Sequence, residues 1–393
     1  MAGCRIYSCF GSRKDYQQML EKLRKTINRH YKNLSGWKTN RKIIVIESDD
    51  WGSIRMPSKE VYELFLSKGF PIDTRVFEQN DTLASKSDLE LLFSSLLSIK
   101  NSKGQSPIIT ANVVMANPDF EKIKESKFEK YYYESFVDTL NTYYPEQKVF
   151  DKWKQGIKQK VFYPQFHARE HYNIAKWMQL LRSGSKDDLE AFSYNMVGIP
   201  SKTNPELGNQ LQIALGVDGG NTLDNQKAIL EEGLSLFESV FGFQSKSFIA
   251  PVYTWHSDLN PFLAQKGVKF LQGGKIQNEP LLEGGYSKIK HFLGEKNKLG
   301  QYYLVRNVYF EPTTDLKKNW VDECFKDISA AFLWKNPVIM STHRLNYVSG
   351  INKENGKNGV SLLYELLLKV VNKYPEVEFM TSDQLGELIK SSK

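Results

Sequence analysis

The stretch IIVIESDDWGS (residues 43–53) decides the fold. Four β-prone apolar residues, Ile43 to Ile46, run straight into Glu47, Ser48, Asp49 and Asp50, and then into Trp51 and Gly52. A short apolar run without polar alternation predicts a strand covered on both faces, the kind found in parallel sheets. Two adjacent carboxylates at its end would repel each other and lose hydration unless a cation compensates them.

Working outward, short apolar strands alternate with helical patterns over nearly the whole chain. The periodicity predicts helices over 14–34 (Met19, Leu20, Leu23, Ile27 and Tyr31 at helical spacing), 58–69 (Ser58 as N-cap), 87–100 (Ser87 as N-cap) and 221–242. It predicts strands over 42–48, 106–118, 247–251 and 337–343, a strand end running into a helix over 161–171, and a hairpin over 286–312 turning at EKNKLG. HAREH (167–171) reads as the start of a helix that runs on through Ile174 and Trp177 to Leu181. Such alternation argues for an α/β fold around a parallel sheet or barrel. Residues 1–40 form an N-terminal helical extension in this reading, and 41–393 a single domain with an insertion around 119–160. No linker rich in Gly, Pro or Ser divides it.

Of 393 residues, 40% are hydrophobic and 13% aromatic, a globular composition. The net charge of +8 is a mild bias at this length, with no basic stripe, so no nucleic-acid partner is expected. Three cysteines (Cys4, Cys9, Cys324) make no disulfide framework. The opening MAGCRIYSCFGSRKDYQQ lacks the apolar core of a signal peptide, and no run is long enough to form a transmembrane segment. A cytoplasmic location is the expectation.

Parallel α/β folds aim the residues at their strand ends into one shared mouth. Collected there are Asp49 and Asp50, His167 and His171, Tyr253 and Trp255, and His343. Two histidines four apart share one face of a helix, and with one carboxylate they make a half-shell for a catalytic divalent metal. Taken alone, H-x-x-x-H fits two structural histidines, and Asp-Asp fits a cap or a solvated turn. Together they favour Asp50, His167 and His171 as metal ligands, with Asp49 as general base. His343, ending PVIMSTH, suits a general acid. Trp51, Tyr253 and Trp255 would stack on sugar rings, with Pro251 beside them, although core packing is the ordinary role of an aromatic. Arg306 and Arg344 would orient Asp49 or bind an anionic substrate group, or else form surface ion pairs. The remaining histidines, His30, His256 and His291, read as surface, helix cap and structural.

The order of these motifs, ESDD, HAREH, APVY, STH and VEFMTSDQLGELI, resembles the polysaccharide deacetylase superfamily, carbohydrate esterase family four. The likeness runs in islands from about residue 42 to the C-terminus. It implies a distorted (β/α)7–8 barrel with helical and hairpin insertions. It also implies one divalent metal ion, zinc first, with cobalt, nickel, iron or manganese as alternatives. The implied reaction removes an acetyl group from an N- or O-acetylated sugar or polysaccharide precursor. In that pattern Asp49 is the base, Asp50, His167 and His171 are the ligands, and His343 is the acid. The chain departs from it at Ala250, where the family has the arginine that orients the base; Arg169, Arg306 and Arg344 are the candidates to replace it. Ala168 stands where a hydroxyl residue is usual, Asp-x-x-Asp-Trp has no counterpart near VKFLQGGK, and the interval from Asp50 to His167 is long. The chain therefore resembles a divergent branch, like the deacetylase-like proteins of bacterial surface-polysaccharide gene clusters. Two rivals stay open: the same fold hydrolysing a non-sugar C–N amide bond, and a glycan-binding protein with a vestigial site. A glycosidase would want two carboxylates flanking the bond and no histidine-rich set.

Overall fold

The computed structural model describes residues 13–200, 202 and 210–392; Cys4, Cys9 and the start of the N-terminal extension lie outside them. Among the described residues the first strands are β1 (Ile43–Trp51), β2 (Ile109–Val113), β3 (Ala116–Pro118), β4 (Tyr133–Ser135) and β5 (Phe162–Phe166). They are followed by β6 (Ser247–Ile249), β7 (Phe270–Gly273), β8 (Ile276–Pro280) and β9 (Tyr286–Lys290). The last are β10 (Tyr302–Val305), β11 (Val308–Tyr309), β12 (Val338–His343) and β13 (Glu378–Met380).

Nine of these strands form one sheet in the order β10-β7-β6-β5-β2-β1-β12-β11, with β13 beside the start of β1, and every pairing is parallel. Only Arg306 and Asn307 separate β10 from β11. Their amides bridge the two edges, Arg306 N–H to the Gly273 carbonyl (2.9 Å) and Asn307 N–H to the Ile339 carbonyl (3.1 Å). The one segment from Tyr302 to Tyr309 thus joins β7 to β12 and closes the sheet into a barrel. The fold is α/β, as the alternation predicted.

Alternation along the strands sorts the barrel interior into a floor and a mouth. Ile43 and Val45 pack with Phe270, Tyr302, Leu304 and Ile339 and with Leu385 and Ile389 of the last helix, Ser382–Ser391. Two and four residues beyond Val45 come Glu47 and Asp49, so the same face of β1 turns from apolar to acidic. Its neighbour β12 does likewise, with Ile339, Ser341 and His343 directly opposite Val45, Glu47 and Asp49. The odd residues of β1 up to Asp49 therefore line the barrel interior, and Ile44 and Ile46 pack into the larger core under the helices.

The mouth side of this layer depends on a close approach. The helix Lys353–Lys373 lies on the turn that follows β12, and a Cβ at Gly359 would stand 1.7 Å from the Asn346 carbonyl oxygen. Gly359→Ala is expected to cost about 2–3 kcal/mol of stability, since neither backbone can retreat from a packed core. An unchanged urea midpoint would mean that the helix can lift off without loss.

Four local expectations are corrected. The helix over 87–100 begins at Lys86, with Ser85 rather than Ser87 as its cap in a reciprocal box with Asp88. The strand over 106–118 divides into β2, which enters the barrel, and β3, which pairs antiparallel with β4 in the inserted segment. The hairpin is formed by β8 and β9, and the second half of the predicted one, from Tyr302 onward, belongs to the barrel. HAREH is not helical: the chain is irregular over 167–173 and the helix starts at Ile174.

Candidate metal centre

Strict alternation would send Asp49 into the mouth and Asp50 away from it. Two features overturn that for Asp50. The register of β1 against β2 shifts between Ser48 and Trp51, and Asp50 adopts a left-handed φ of 70°. A bulge of this kind turns two successive side chains to one side, and a short polar residue tolerates the conformation best. Gly52 completes the turn at φ +88°, where a Cβ would fall 2.4 Å from the Val114 carbonyl oxygen. Trp51 swings back into the core, edge-on to Trp153 and Phe162, and its indole N–H donates to Ser48 Oγ (2.9 Å).

Asp50, His167 and His171 converge, all buried, with their ligating atoms within 4.8 Å of one another. The histidines meet through left-handed Ala168 rather than through a helical turn, with ring centroids 5.0 Å apart. His167 Nδ1 is held by the Ile249 carbonyl (2.8 Å) and His171 Nδ1 by Gln212 Oε1 (3.1 Å). Both Nε2 atoms therefore face Asp50 Oδ1, at 3.4 and 3.2 Å, and that oxygen is buried with no hydrogen-bond partner. Native interiors rarely tolerate an orphaned carboxylate oxygen. Histidines that fix one nitrogen on a protein acceptor and aim the other at a carboxylate are oriented as metal ligands are. The donor set fits a divalent cation. Burial pushes His171 below the ordinary histidine value, against the pull of Asp50, which favours the neutral imidazole a metal requires. Burial opposes ionisation of Asp50, but its electrostatic interaction with the facing His171 and His167 rings holds it well below the usual carboxylate range.

Asp49 sits on the other side of this group. Its two oxygens take a bidentate fork from Arg306, Nη1 to Oδ2 and Nη2 to Oδ1, each at 2.7 Å, and Asn112 Nδ2 donates to Oδ1 at 2.7 Å. Arg306 is the next inward residue after Tyr302 and Leu304, at the junction that closes the barrel. Its Nε reaches Glu47 (2.6 Å), and Nη1 also donates to Ser341 Oγ (2.9 Å) and the Tyr253 hydroxyl (3.0 Å). Burial works against a charged Asp49, yet the Arg306 guanidinium holds it well below the usual carboxylate range. Glu47 goes the other way, raised because burial outweighs its share of the same cation. Ala250 is thus accompanied by an arginine from a different strand.

His343 lies half-buried with Nε2 3.7 Å from Asp49 Oδ2 and Nδ1 2.6 Å from Glu311 Oε1. Burial alone would lower it, but Glu311 raises it to about 10. The Phe77 ring meets it edge-on, centroids 5.4 Å apart. Tyr253 is carried on a turn in which both Val252 (φ 55°) and Tyr253 (φ 53°) are left-handed, strain that a β-branched residue adopts only under constraint.

The other sequence candidates lie elsewhere. Trp51 and Trp255 are buried, the latter donating its indole N–H to Asn260 (3.0 Å), and Pro251 is buried behind Tyr253. Neither tryptophan offers a free face to a sugar. Arg344 is spent on a bidentate pair with Asp81 (2.9 Å to each oxygen) and on the Ser53 carbonyl (2.6 Å). Arg169 pairs with Glu170 and Glu232 behind the histidines. Among the residues passed over in the sequence, Glu311, Asn112 and Glu47 contact the group directly. Glu311 follows β11 at the mouth, and assigning 286–312 to a hairpin concealed it.

No protein-family model and no curated protein matches the chain. Among solved structures it is similar to a 4-alpha-glucanotransferase from Thermococcus litoralis, at 7% identity and TM-score 0.48, over 90% of this chain and 41% of that one. The chain therefore spans less than half the length of that neighbour. It is also similar to a putative polysaccharide deacetylase from Mycobacterium smegmatis, at 10% identity and TM-score 0.39, covering 91% and 93% of the two chains. A third likeness, at 8% identity and TM-score 0.35 over 86% and 63%, is to a CE4 family pseudoenzyme from Bacillus anthracis. These likenesses concern the course of the backbone alone.

Proposed function

We propose that the chain is a metal-dependent hydrolase that removes an acetyl or related acyl group from an N- or O-acetylated sugar or glycan precursor. The observation that carries this reading is the orphaned, buried Asp50 Oδ1 facing two histidine Nε2 atoms whose Nδ1 atoms are already occupied. A divalent cation held by Asp50, His167 and His171, zinc first, would polarise the acyl carbonyl and lower the pKa of water.

The chain's own residues divide the proton chemistry between two environments. Asp49 is kept ionised and fixed in orientation by Arg306 and Asn112, so an acceptor stands ready for the proton of the attacking water. His343 is kept protonated by Glu311, so a donor stands 3.7 Å away for the leaving amine or alkoxide. Arg306 supports an active site over a vestigial one, because the arginine missing at Ala250 was the reason to suspect decay. Acetate release from a panel of N-acetylated and O-acetylated sugars, with cyclic amides and ureides alongside, tests the reading after reconstitution with zinc, cobalt or nickel. Release from the ureides alone would reassign the substrate. Glycan binding without release by any metal form, undiminished in Asp49→Asn, would leave a binding protein.

The acid assignment has its own test. With Glu311 in place His343 stays protonated through neutrality and loses its proton only near 10. Glu311→Gln removes the stabilising charge, burial then dominates, and the His343 value falls. The alkaline limb of kcat/KM is expected to move to lower pH by more than ~1 unit. The stability contributed by the His343–Glu311 pair follows the same sign, present below the ordinary histidine value and lost as pH rises through about 10. An alkaline limb that stays where it was would remove His343 from the acid role.

A further inference from the structure

The helix Arg13–Tyr31 is set against the body in an unusual sense. Its polar side makes the contacts: Arg29 pairs with Glu323 (2.7 Å) and Asp327 (2.5 Å), and Lys32 with Asp327 (3.0 Å). Just beyond the helix, the buried Asn33 accepts from Asn307 (3.1 Å). Ile27 lies roughly 200° around the axis from Arg29, on the opposite face. There Met19, Leu20, Leu23, Ile27, Tyr31 and Leu34 form a stripe at helical spacing, each 36–60% exposed. Contiguous apolar surface left open in this way marks a site of association.

Charge identifies what covers it. Residues 13–34 hold seven Lys and Arg; with Arg29 and Lys32 paired to the body, five (13, 14, 22, 24 and 25) remain against Asp15 and Glu21, a net +3. A second copy would bring two such segments together and set like charges side by side. A surface of anionic headgroups satisfies both halves of the pattern, with the stripe entering the headgroup boundary and the basic side chains remaining among the phosphates. No helix of the described residues is long and apolar enough to cross a membrane, so the contact is peripheral. We propose that the helix Arg13–Tyr31 docks this protein on an anionic phospholipid surface, independently of the chemistry assigned to the barrel.

Full-length protein sedimented with phosphatidylcholine vesicles, and with vesicles that also contain phosphatidylglycerol, tests this. Enrichment of about tenfold on the anionic vesicles is expected, falling with added salt. Leu23→Glu with Ile27→Glu should abolish it, as should the charge reversals Arg24→Glu and Lys25→Glu, with the thermal midpoint and metal content unchanged because all four sites are exposed. Equal sedimentation on both vesicle types, or binding that survives either pair of substitutions, would overturn the proposal. So would a wild-type dimer in light scattering that Leu23→Glu with Ile27→Glu turns into a monomer, without any vesicle binding.

Discussion

Arg306→Met is expected to destabilise the fold by about 3–5 kcal/mol, the scale seen when one partner of a buried ion group is removed. The side chain is fully buried between two fully or nearly buried carboxylates, so water cannot replace it. Glu47 would then have no counter-charge and Asp49 only His343, 3.7 Å away, so proton uptake by Glu47 would be the cheapest relief. The loss should therefore be largest near neutral pH and shrink in acid, where the carboxylates protonate in both states. Arg306→Lys restores a charge but not the fork, and it cannot reach Glu47 Oε2, both oxygens of Asp49, Ser341 and Tyr253 at once. It should recover much of the stability and little of the acyl-transfer rate, since Asp49 would be ionised but free to rotate. A lysine variant that regains both would reduce Arg306 to a counter-ion and leave Asp49 oriented by Asn112 alone. Adding Glu47→Gln to Arg306→Met separates the two carboxylates: rescue of the urea midpoint without rescue of rate assigns the stability to Glu47 and the catalytic loss to Asp49.

That arginine marks where the sequence stops being legible. The strand-end residues Asp49, Asp50, His167, His171 and His343 could be read from local pattern, because a short apolar run followed by a polar residue has few meanings in an alternating α/β chain. Arg306 obeys the same rule, as the third inward residue in Tyr302-Leu304-Arg306, but the rule applies only once the segment is known to be a barrel strand. Its partner strands, β7 and β12, lie about thirty residues away on either side, and EKNKLG offered a closer hairpin. Long-range closure won over local turn chemistry. Glu311 was hidden by the same error. For HAREH the two rings converge as expected but by another route, since a left-handed Ala168 brings them together as effectively as a helical turn. The aromatic candidates failed for the ordinary reason: Trp51 and Trp255 are large, and the core took them. Arg344, beside His343 in sequence, opens the turn after β12 and is taken up by Asp81 and the Ser53 carbonyl.

The second large effect concerns Asp50 itself. Wild-type protein is expected to bind about one equivalent of zinc, and Asp50→Asn or His167→Ala to lose most of it, with affinity down by more than about 10³-fold for a first ligand. Gln212→Ala, which only releases His171 Nδ1, should cost about 10–100-fold. Asparagine is the right replacement at position 50 because it accepts the left-handed backbone and keeps the shape while removing the charge. Without metal, Asp50→Asn should be less stable than wild type near neutral pH, because the two facing imidazoles favour the charged carboxylate. Added zinc should widen the gap, since only wild type gains the binding free energy that raises its midpoint with zinc concentration. A gap that widens with zinc separates a ligand from a structural carboxylate, for which the gap would be the same with and without the metal. Metal content unchanged by both Asp50→Asn and His167→Ala would dismiss the centre altogether. The repulsion at the end of IIVIESDDWGS would then need another cation, and among the described residues the next one is Arg55, whose Nη2 lies 3.8 Å from Asp50 Oδ2, too far for a hydrogen bond.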